Sequence, residues 1–500
     1  MRARDEAVRD PDRRRLRRAD TCSGFGAWGH VALFCSDSRE SVGGRDRRRR
    51  ARCGWIGVLA LALLQVPASA AEQVTDQNGI TPPSIAIGLP ANGDPAGIRK
   101  WLAGHGVIYQ LIYTNDVLSN LRGGLRRGTI DQGKLEAILG ADLEKAAGLQ
   151  GLSFFANIFA IHNTGRIRRD YVGGINTIAA IEAVPTIRLS ELWFEQQLWN
   201  GNANLRFGQL AADVEFFFSG LSRMFLQSDW PTITAVDLPS GGPAYPLSTP
   251  GVRLKIDPTK DLSLLLAVFN GDPAGPGVPG DEQLRNRYGL NFRVQDPAFM
   301  MVEGQFRSNQ LPQDTGLATT LKLGAWSHLG EFEDQRFAID GSLLADPSGL
   351  RLPARRRGNW GAYGVLDQQL YRPKGGDAES GISVFSRVGF SPSDRNLVNF
   401  FIDGGILFGG LIPGRPDDSF GASFMYSRFS DSVRAFDRDL FAFTGGLGPI
   451  RDFEANLELT YVAQVIPGWT VQPDFQYIWH PNGDASRNAM VIGGRSIWRF

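Results

Sequence analysis

The stretch IRLSELWFEQQLWNGNANLRFGQL, residues 187–210, gathers the side chains best suited to chemistry. Two alternating runs flank Asn200-Gly201, a strong local signal for a β-hairpin. One frame carries Leu192, Phe194 and Leu198, and the other carries Glu191, Trp193, Glu195 and Gln197. Arg188 and, across the turn, Arg206 join the polar frame. Acids, amides and guanidinium groups can exchange hydrogen bonds with sugar hydroxyls, and Trp193 would offer a flat apolar face to a pyranose ring. Mixed charge signs narrow a passage without strongly favouring one sign of ion.

Catalysis has no comparable support. Residues 71–500 contain four histidines, His105, His162, His328 and His480, none with a second histidine or a cysteine four positions on. Neither a G-x-S-x-G elbow nor a phosphate-cradling GxxxxGK[ST] run is present. Ser327 adjoins His328, but neighbours on a strand point to opposite faces. The reading is of no catalytic residue, no metal and no cofactor.

The N-terminal region carries a different signal. Arginines between Arg47 and Arg52 precede the apolar run Ile56 to Val66, and Ala68-Ser69-Ala70 follows. Basic, apolar and small-residue segments in that order form a secretory signal, and the apolar run is far shorter than the ~20 residues of a spanning helix. Residues 42–70 therefore read as a signal peptide. Residues 1–41, Arg-rich and aperiodic, read as a mis-called or disordered extension. Cys22, Cys35 and Cys53 all precede the cleavage site, so the exported part holds no disulfide and no thiolate metal site. Of 53 basic and 52 acidic residues, 15 and 8 lie in the first 70, which leaves 38 and 44 and a net charge of about −6. No basic stripe survives to neutralise phosphates, which excludes a nucleic-acid partner.

Positioning the polar frame requires strands. Residues 71–106 are polar and proline-rich and end in GIRKWLAGHG, a periplasmic leader with one or two helical turns at most. From Val107 to Phe500 the period is two, segment after segment. In GVRLKIDPTKDLSLLLAVFNG, Val252, Leu254 and Ile256 alternate with Arg253, Lys255 and Asp257. In YGLNFRVQDPAFMMVEGQFRS, Tyr288, Leu290, Phe292 and Val294 oppose Asn291, Arg293 and Gln295; then Met300, Val302 and Phe306 oppose Glu303, Gln305 and Arg307. LEAILGADLEKAAGLQG fits helical and strand periods alike, and its neighbours favour strand. Tight turns at DPTKD, QDPAF and IPGW interleave with long stretches at 227–250 and 327–360. The first of these long stretches, with Trp230 and Tyr245, is expected to fold inward.

Alternation alone also describes a soluble sandwich. Three details favour the inverted arrangement. Aromatics (Trp469, Tyr477, Trp479, Trp498) sit at strand ends on the apolar frame, the chain closes on Phe500 in that frame, and flipping β-segment 252–257 would turn Arg253 and Lys255 to lipid at ~2–4 kcal/mol each. Unpaired edge amides cannot sit in hydrocarbon, so the sheet must close. The fold class is all-β: a transmembrane antiparallel β-barrel of the outer membrane with long extracellular loops and short periplasmic turns. About 430 exported residues allow roughly 14–18 strands, and barrels of ~16–18 strands leave an aqueous lumen. A general or anion-selective pore is the competing reading, since Arg188, Arg206, Arg253 and Arg293 could attract anions.

VPTIRLSELWFEQQL with LRFGQL, LKLGAWSHLGEFEDQRF, GNWGAYGVLDQQLYR, GLIPGRPDDSFG and LELTYVAQVIPGWTVQPDFQYIWHPNG together resemble the carbohydrate-selective porin family, OprB type. The resemblance covers the chain after about residue 97. It implies a sixteen-stranded barrel in the outer membrane of a Gram-negative bacterium, surrounded by lipid, passing small sugars, glucose above all, by diffusion; it leaves homo-oligomers open. It places the pore wall on Arg188, Glu191, Trp193, Glu195 and Arg206, with a second strand at Lys322, Trp326 and His328. It also favours strand at 135–148. Leu149 stands where the family commonly has tryptophan.

Overall fold

The computed structural model describes residues 75, 76, 78–228, 242–277 and 281–500. The extension, the expected signal peptide and Trp230 lie outside the described residues. The first eight strands are β1 Val107–Gly123, β2 Gly128–Asp142, β3 Leu152–Asn163, β4 Thr186–Leu198, β5 Ala203–Leu210, β6 Thr249–Thr259, β7 Leu262–Asn270 and β8 Ala298–Ser308. The second eight are β9 Thr319–Ala338, β10 Pro353–Tyr371, β11 Gly381–Phe390, β12 Val398–Gly409, β13 Ser419–Phe429, β14 Phe453–Ile466, β15 Trp469–Trp479 and β16 Asn488–Arg499. Each pairs antiparallel with its sequence neighbours, and β16 pairs with β1, so the sheet closes on itself as a barrel.

Burial shows which face meets which solvent. In β6, Val252 is 46% exposed while its neighbour Arg253 is 1% exposed. Glu303 and Glu458 are fully buried beside exposed Val302 and Leu459. Apolar side chains outside and charged ones inside are the reverse of a soluble sandwich and the pattern of a transmembrane barrel. Among the described residues no helix is long and apolar enough to cross a membrane, so crossing falls to the strands.

The connections differ at the two ends. One end has tight turns, such as Pro467-Gly468 between β14 and β15; the other carries the long segments 164–185, 211–248 and 271–297. Trp469 and Trp498 stack at 6.1 Å near the short-turn end. There Phe500 and Leu111 exchange backbone hydrogen bonds of 2.7 and 2.9 Å. Helix α1, Ile98–Gly104, places the Arg99 guanidinium 4.6 Å from the Tyr109 ring and 4.7 Å from the Phe500 ring.

Three expectations of the sequence are corrected. The ambiguous segment 135–148 is strand only to Asp142, whose carboxylate then accepts the amides of Glu144 and Lys145 at 3.0 and 3.1 Å and caps helix α2, Leu143–Ala147. Gly148, at φ +74°, ends that helix. Residues 288–294 alternate but form no strand of the barrel. Because β5 ends at Leu210, the part of β4 before Leu192 lacks that neighbour, and the β7–β8 loop straps it instead: the Leu189 amide donates to the Tyr288 carbonyl at 3.0 Å and the Thr186 hydroxyl to the Arg287 carbonyl at 3.1 Å. QDPAF is thus the end of a long loop and not a tight turn. Finally, 327–360 is mostly strand, with only 339–352 between β9 and β10. Cross-strand ion pairs there, Arg356 with Asp334 at 2.6 Å and Arg355 with Glu333 at 3.3 Å, put charge where the sequence shows no apolar period.

The seam between first and last strands carries a buried ion pair. Asp116 and Arg495 are register partners, and the guanidinium donates to the carboxylate at 2.7 and 2.9 Å. Removing one partner of a buried pair costs about 3–5 kcal/mol, because the other charge is left unmatched. Asp116→Asn should lower the temperature at which the folded barrel converts to the unfolded species on an SDS gel, and adding Arg495→Gln should restore part of the loss. Identical conversion temperatures would show that the seam does not rest on this pair.

Candidate functional site

Strand register assembles the charged groups. Glu195 of β4 is the cross-strand partner of Arg206 of β5, which in turn faces Arg253 of β6. Two arginines directly opposite repel, so each needs an acid. Glu195 Oε2 accepts from Arg206 at 2.8 Å and from Arg253 at 2.9 Å. Glu215, from the β5–β6 loop, accepts twice from Arg253 at 2.8 Å and lies 3.5 Å from Arg206. Two acids and two bases cancel, and with side chains only 1–8% exposed they bond chiefly to one another, which leaves this part of the wall without a net charge.

The loop that supplies Glu215 runs through the barrel interior. Its amides are taken by carboxylates on strand after strand. The Phe217 amide donates to Glu303 of β8 at 2.7 Å, and the Tyr363 hydroxyl donates to the same oxygen at 2.8 Å. The Ser219 hydroxyl and, at 2.9 Å, the Gly220 amide donate to Asp367 of β10. The Leu226 and Gln227 amides donate to Glu458 of β14 at 2.6 and 2.9 Å. Each of the amide bonds satisfies a loop N–H that no strand pairs. Phe217 itself sits at φ +56°, a conformation that costs a bulky residue ~1–3 kcal/mol and persists only when its surroundings hold it. Its ring stacks on Tyr363 at 4.2 Å. The β3–β4 loop also enters: Ile175 and Asn176 donate to Glu454 at 2.8 and 2.7 Å, and the Ala180 amide meets the Leu226 carbonyl at 2.8 Å.

The expected site residues divide into three groups. Glu195, Arg206 and Arg253 meet in the quartet, with Glu191 beside them accepting the Ala211 amide at 3.3 Å. Glu303 and Lys322 form a second group, 4.0 Å apart. The rest are elsewhere. Trp193 is on the inward frame but only 1% exposed; Arg206 covers its ring at 3.8 Å and Phe155 stacks on it at 4.7 Å. It therefore braces the guanidinium and has no free face for a sugar. Trp326 is buried against Phe299. His328 is buried with Nε2 donating to the Gly271 carbonyl and Nδ1 accepting the Gly330 amide, both at 2.9 Å, a structural role. Arg293 lies in the β7–β8 loop, paired with Asp296 at 2.6 Å, because the strand expected there does not form. Gln197 is exposed at the short-turn end of β4, and Arg307 donates to Gln305 at 2.9 Å. Arg188 faces inward although it lies an odd three positions from Glu191: a register shift between Asn157 and Ile158 leaves Ser190 as a bulge and resets the frame. Its guanidinium is buried and donates to the Asn286 carbonyl at 3.2 Å.

Sequence reasoning placed the inward loop at 227–250; of that stretch 229–241 lie outside the described residues, Gln227, Ala244, Leu247 and Ser248 are buried, and the part seen to cross the interior begins earlier, at 211–228. Tyr245 is half-buried, with its hydroxyl on the Ile181 carbonyl at 2.9 Å. Glu215, Asp367, Glu454 and Glu458 were missed. The one available signal was EFFFSG, an acid and three aromatics in a run that breaks the period of two.

The family model described as carbohydrate-selective porin, OprB family, matches residues 126–500. Porin B of Pseudomonas aeruginosa is 24% identical over 429 residues, 80% of this chain and 89% of that protein. The high-pH structure of Pseudomonas putida OprB shares the fold with a TM-score of 0.72 at 22% identity, covering 82% of this chain and 98% of that one. The low-pH structure of the same protein gives 0.50 at 17% identity, with 82% and 97% covered. With sixteen strands closed around a polar interior and a family match over three quarters of its length, the chain belongs to the carbohydrate-selective porin family, OprB.

Proposed function

We propose that the quartet of Glu195, Arg206, Arg253 and Glu215 is the polar filter past which sugars diffuse through this porin. The observation that carries the reading is the meeting of three strands and an inward loop in one neutral hydrogen-bonding cluster. A sugar carries many hydroxyls and no charge. Net neutrality keeps the same site from drawing in ions of one sign. A general anion pore is less well supported, because Arg206 and Arg253 each have acid partners within 3 Å and Arg293 is held by Asp296 outside the strands.

The reading includes export through the signal expected at 42–70 with cleavage after Ala70, and insertion into the outer membrane with the short-turn end in the periplasm. It assigns no chemistry to the protein, and transport follows the concentration gradient.

Liposome swelling with sugars of increasing size tests the filter. Monosaccharides should enter faster than disaccharides, and Arg206→Ala should cut the glucose rate several-fold relative to a small uncharged solute such as glycerol. An unchanged ratio would remove the quartet from the path. A second measurement reads its charge balance. Glu195→Gln leaves two arginines against one acid, so the reversal potential in a salt gradient should move toward anion selectivity. A potential equal to that of the wild type, in a variant that still forms heat-modifiable barrels, would place the quartet outside the passage.

A further inference from the structure

The three consecutive aromatics of the inward loop, Phe216 to Phe218, sit in different surroundings. Phe216 is buried edge-on against Phe269 of β7 at 6.4 Å. Phe217 is buried on Tyr363 of β10. Phe218 alone of the triplet keeps part of its surface exposed. Two clamps fix its position: the Phe217 amide on Glu303 precedes it, and the Ser219 hydroxyl and Gly220 amide on Asp367 follow it. The left-handed turn at Phe217 separates the directions of the two rings. Two cations flank the exposed ring, Lys322 Nζ at 5.4 Å and the Arg223 guanidinium at 5.5 Å from its centroid. Lys322 also has Glu303 at 4.0 Å.

A phenyl ring needed only for packing would be covered, as its two predecessors are. Here a strained backbone and two buried carboxylates hold a partly exposed ring beside N–H donors. Pyranose sugars have one face lined by C–H groups and a rim of hydroxyls, the chemical complement of such an arrangement.

We propose that Phe218 is a specificity-determining residue, a platform on which the C–H face of a monosaccharide ring rests while Lys322 and Arg223 donate to its hydroxyls. The proposal rests on the sugar-filter reading above and adds a discrimination that the charged quartet cannot make: ring sugars against open-chain polyols with the same hydroxyl count. An acyclic polyol satisfies donors and acceptors equally well but presents no rigid apolar face.

The test uses the whole mature protein in liposomes, with glucose and sorbitol as probes and potassium chloride conductance as a measure of pore width. Wild type should pass glucose faster than sorbitol. Phe218→Ala and Phe218→Leu should bring that ratio down by roughly three- to tenfold, toward unity, without a fall in conductance, while Phe218→Trp should keep it. If the alanine variant fails to insert, the leucine variant, of similar bulk, decides alone. A wild-type preference retained by Phe218→Leu overturns the platform and leaves the filter standing. A wild-type ratio of one, together with an Arg206→Ala variant that behaves as wild type, overturns the filter and the platform together.

Discussion

A backbone N–H or C=O turned toward hydrocarbon has no water to bond, and that constraint governs everything else in this protein. A sheet with edges would leave a row of such groups in lipid. The sixteen strands avoid it by closing, and the last bond is made where β16 meets β1. Closure fixes the two solvents in turn: the exposed apolar frame meets acyl chains, and the charged frame is confined to the interior. The gap in the wall beyond the end of the short β5 is filled by the carbonyls of the strap at 286–288.

Confining charge inside creates its own requirement, since buried carboxylates must be matched. The barrel meets it in two ways. Across strands, acids meet bases, as in the quartet and in the Arg387–Asp403 pair of β11 and β12, whose closest approach is 2.5 Å. Elsewhere the acids accept amides of loops that enter the lumen. Glu303, Asp367, Glu454 and Glu458 thereby satisfy loop backbone that would otherwise lie unpaired in a narrow space. The same side chains that make the lumen polar also hold the inward loop in place, so the position of that loop and the charge of the lumen depend on one network. An inward loop pinned at β8, β10 and β14 is held across the interior, which is how a strained residue such as Phe217 can persist.

Trp193 shows how a residue can be placed on the right frame and still do something other than its type suggests. An indole on a polar frame reads as a sugar platform. In the structure its two faces are already used by Arg206 and Phe155, and its contribution is to aim a guanidinium. The partly exposed aromatic beside the inward cations is instead Phe218, in a loop that periodicity does not describe.

The amino-acid order by itself determined the strands, the frame that faces lipid, the closed sheet and the family. These depend on a period of two and on the cost of charge in hydrocarbon, both local properties that any strand reports alone. It also placed Glu195 and Arg206 on one wall, because a tight hairpin fixes register; Arg253 joins them only through the pairing of β5 with β6 across a long loop. Only the tertiary structure decided where Arg188 points, since a bulge at Ser190 shifts the frame by one residue and no local pattern records that. It alone decided that 288–294 is a strap, because the decision rests on how far β5 extends. And it alone joined the loop at 211–228 to acids on β8, β10 and β14, contacts made across the lumen by residues up to 232 positions apart, for which a single sequence carries no periodic signal.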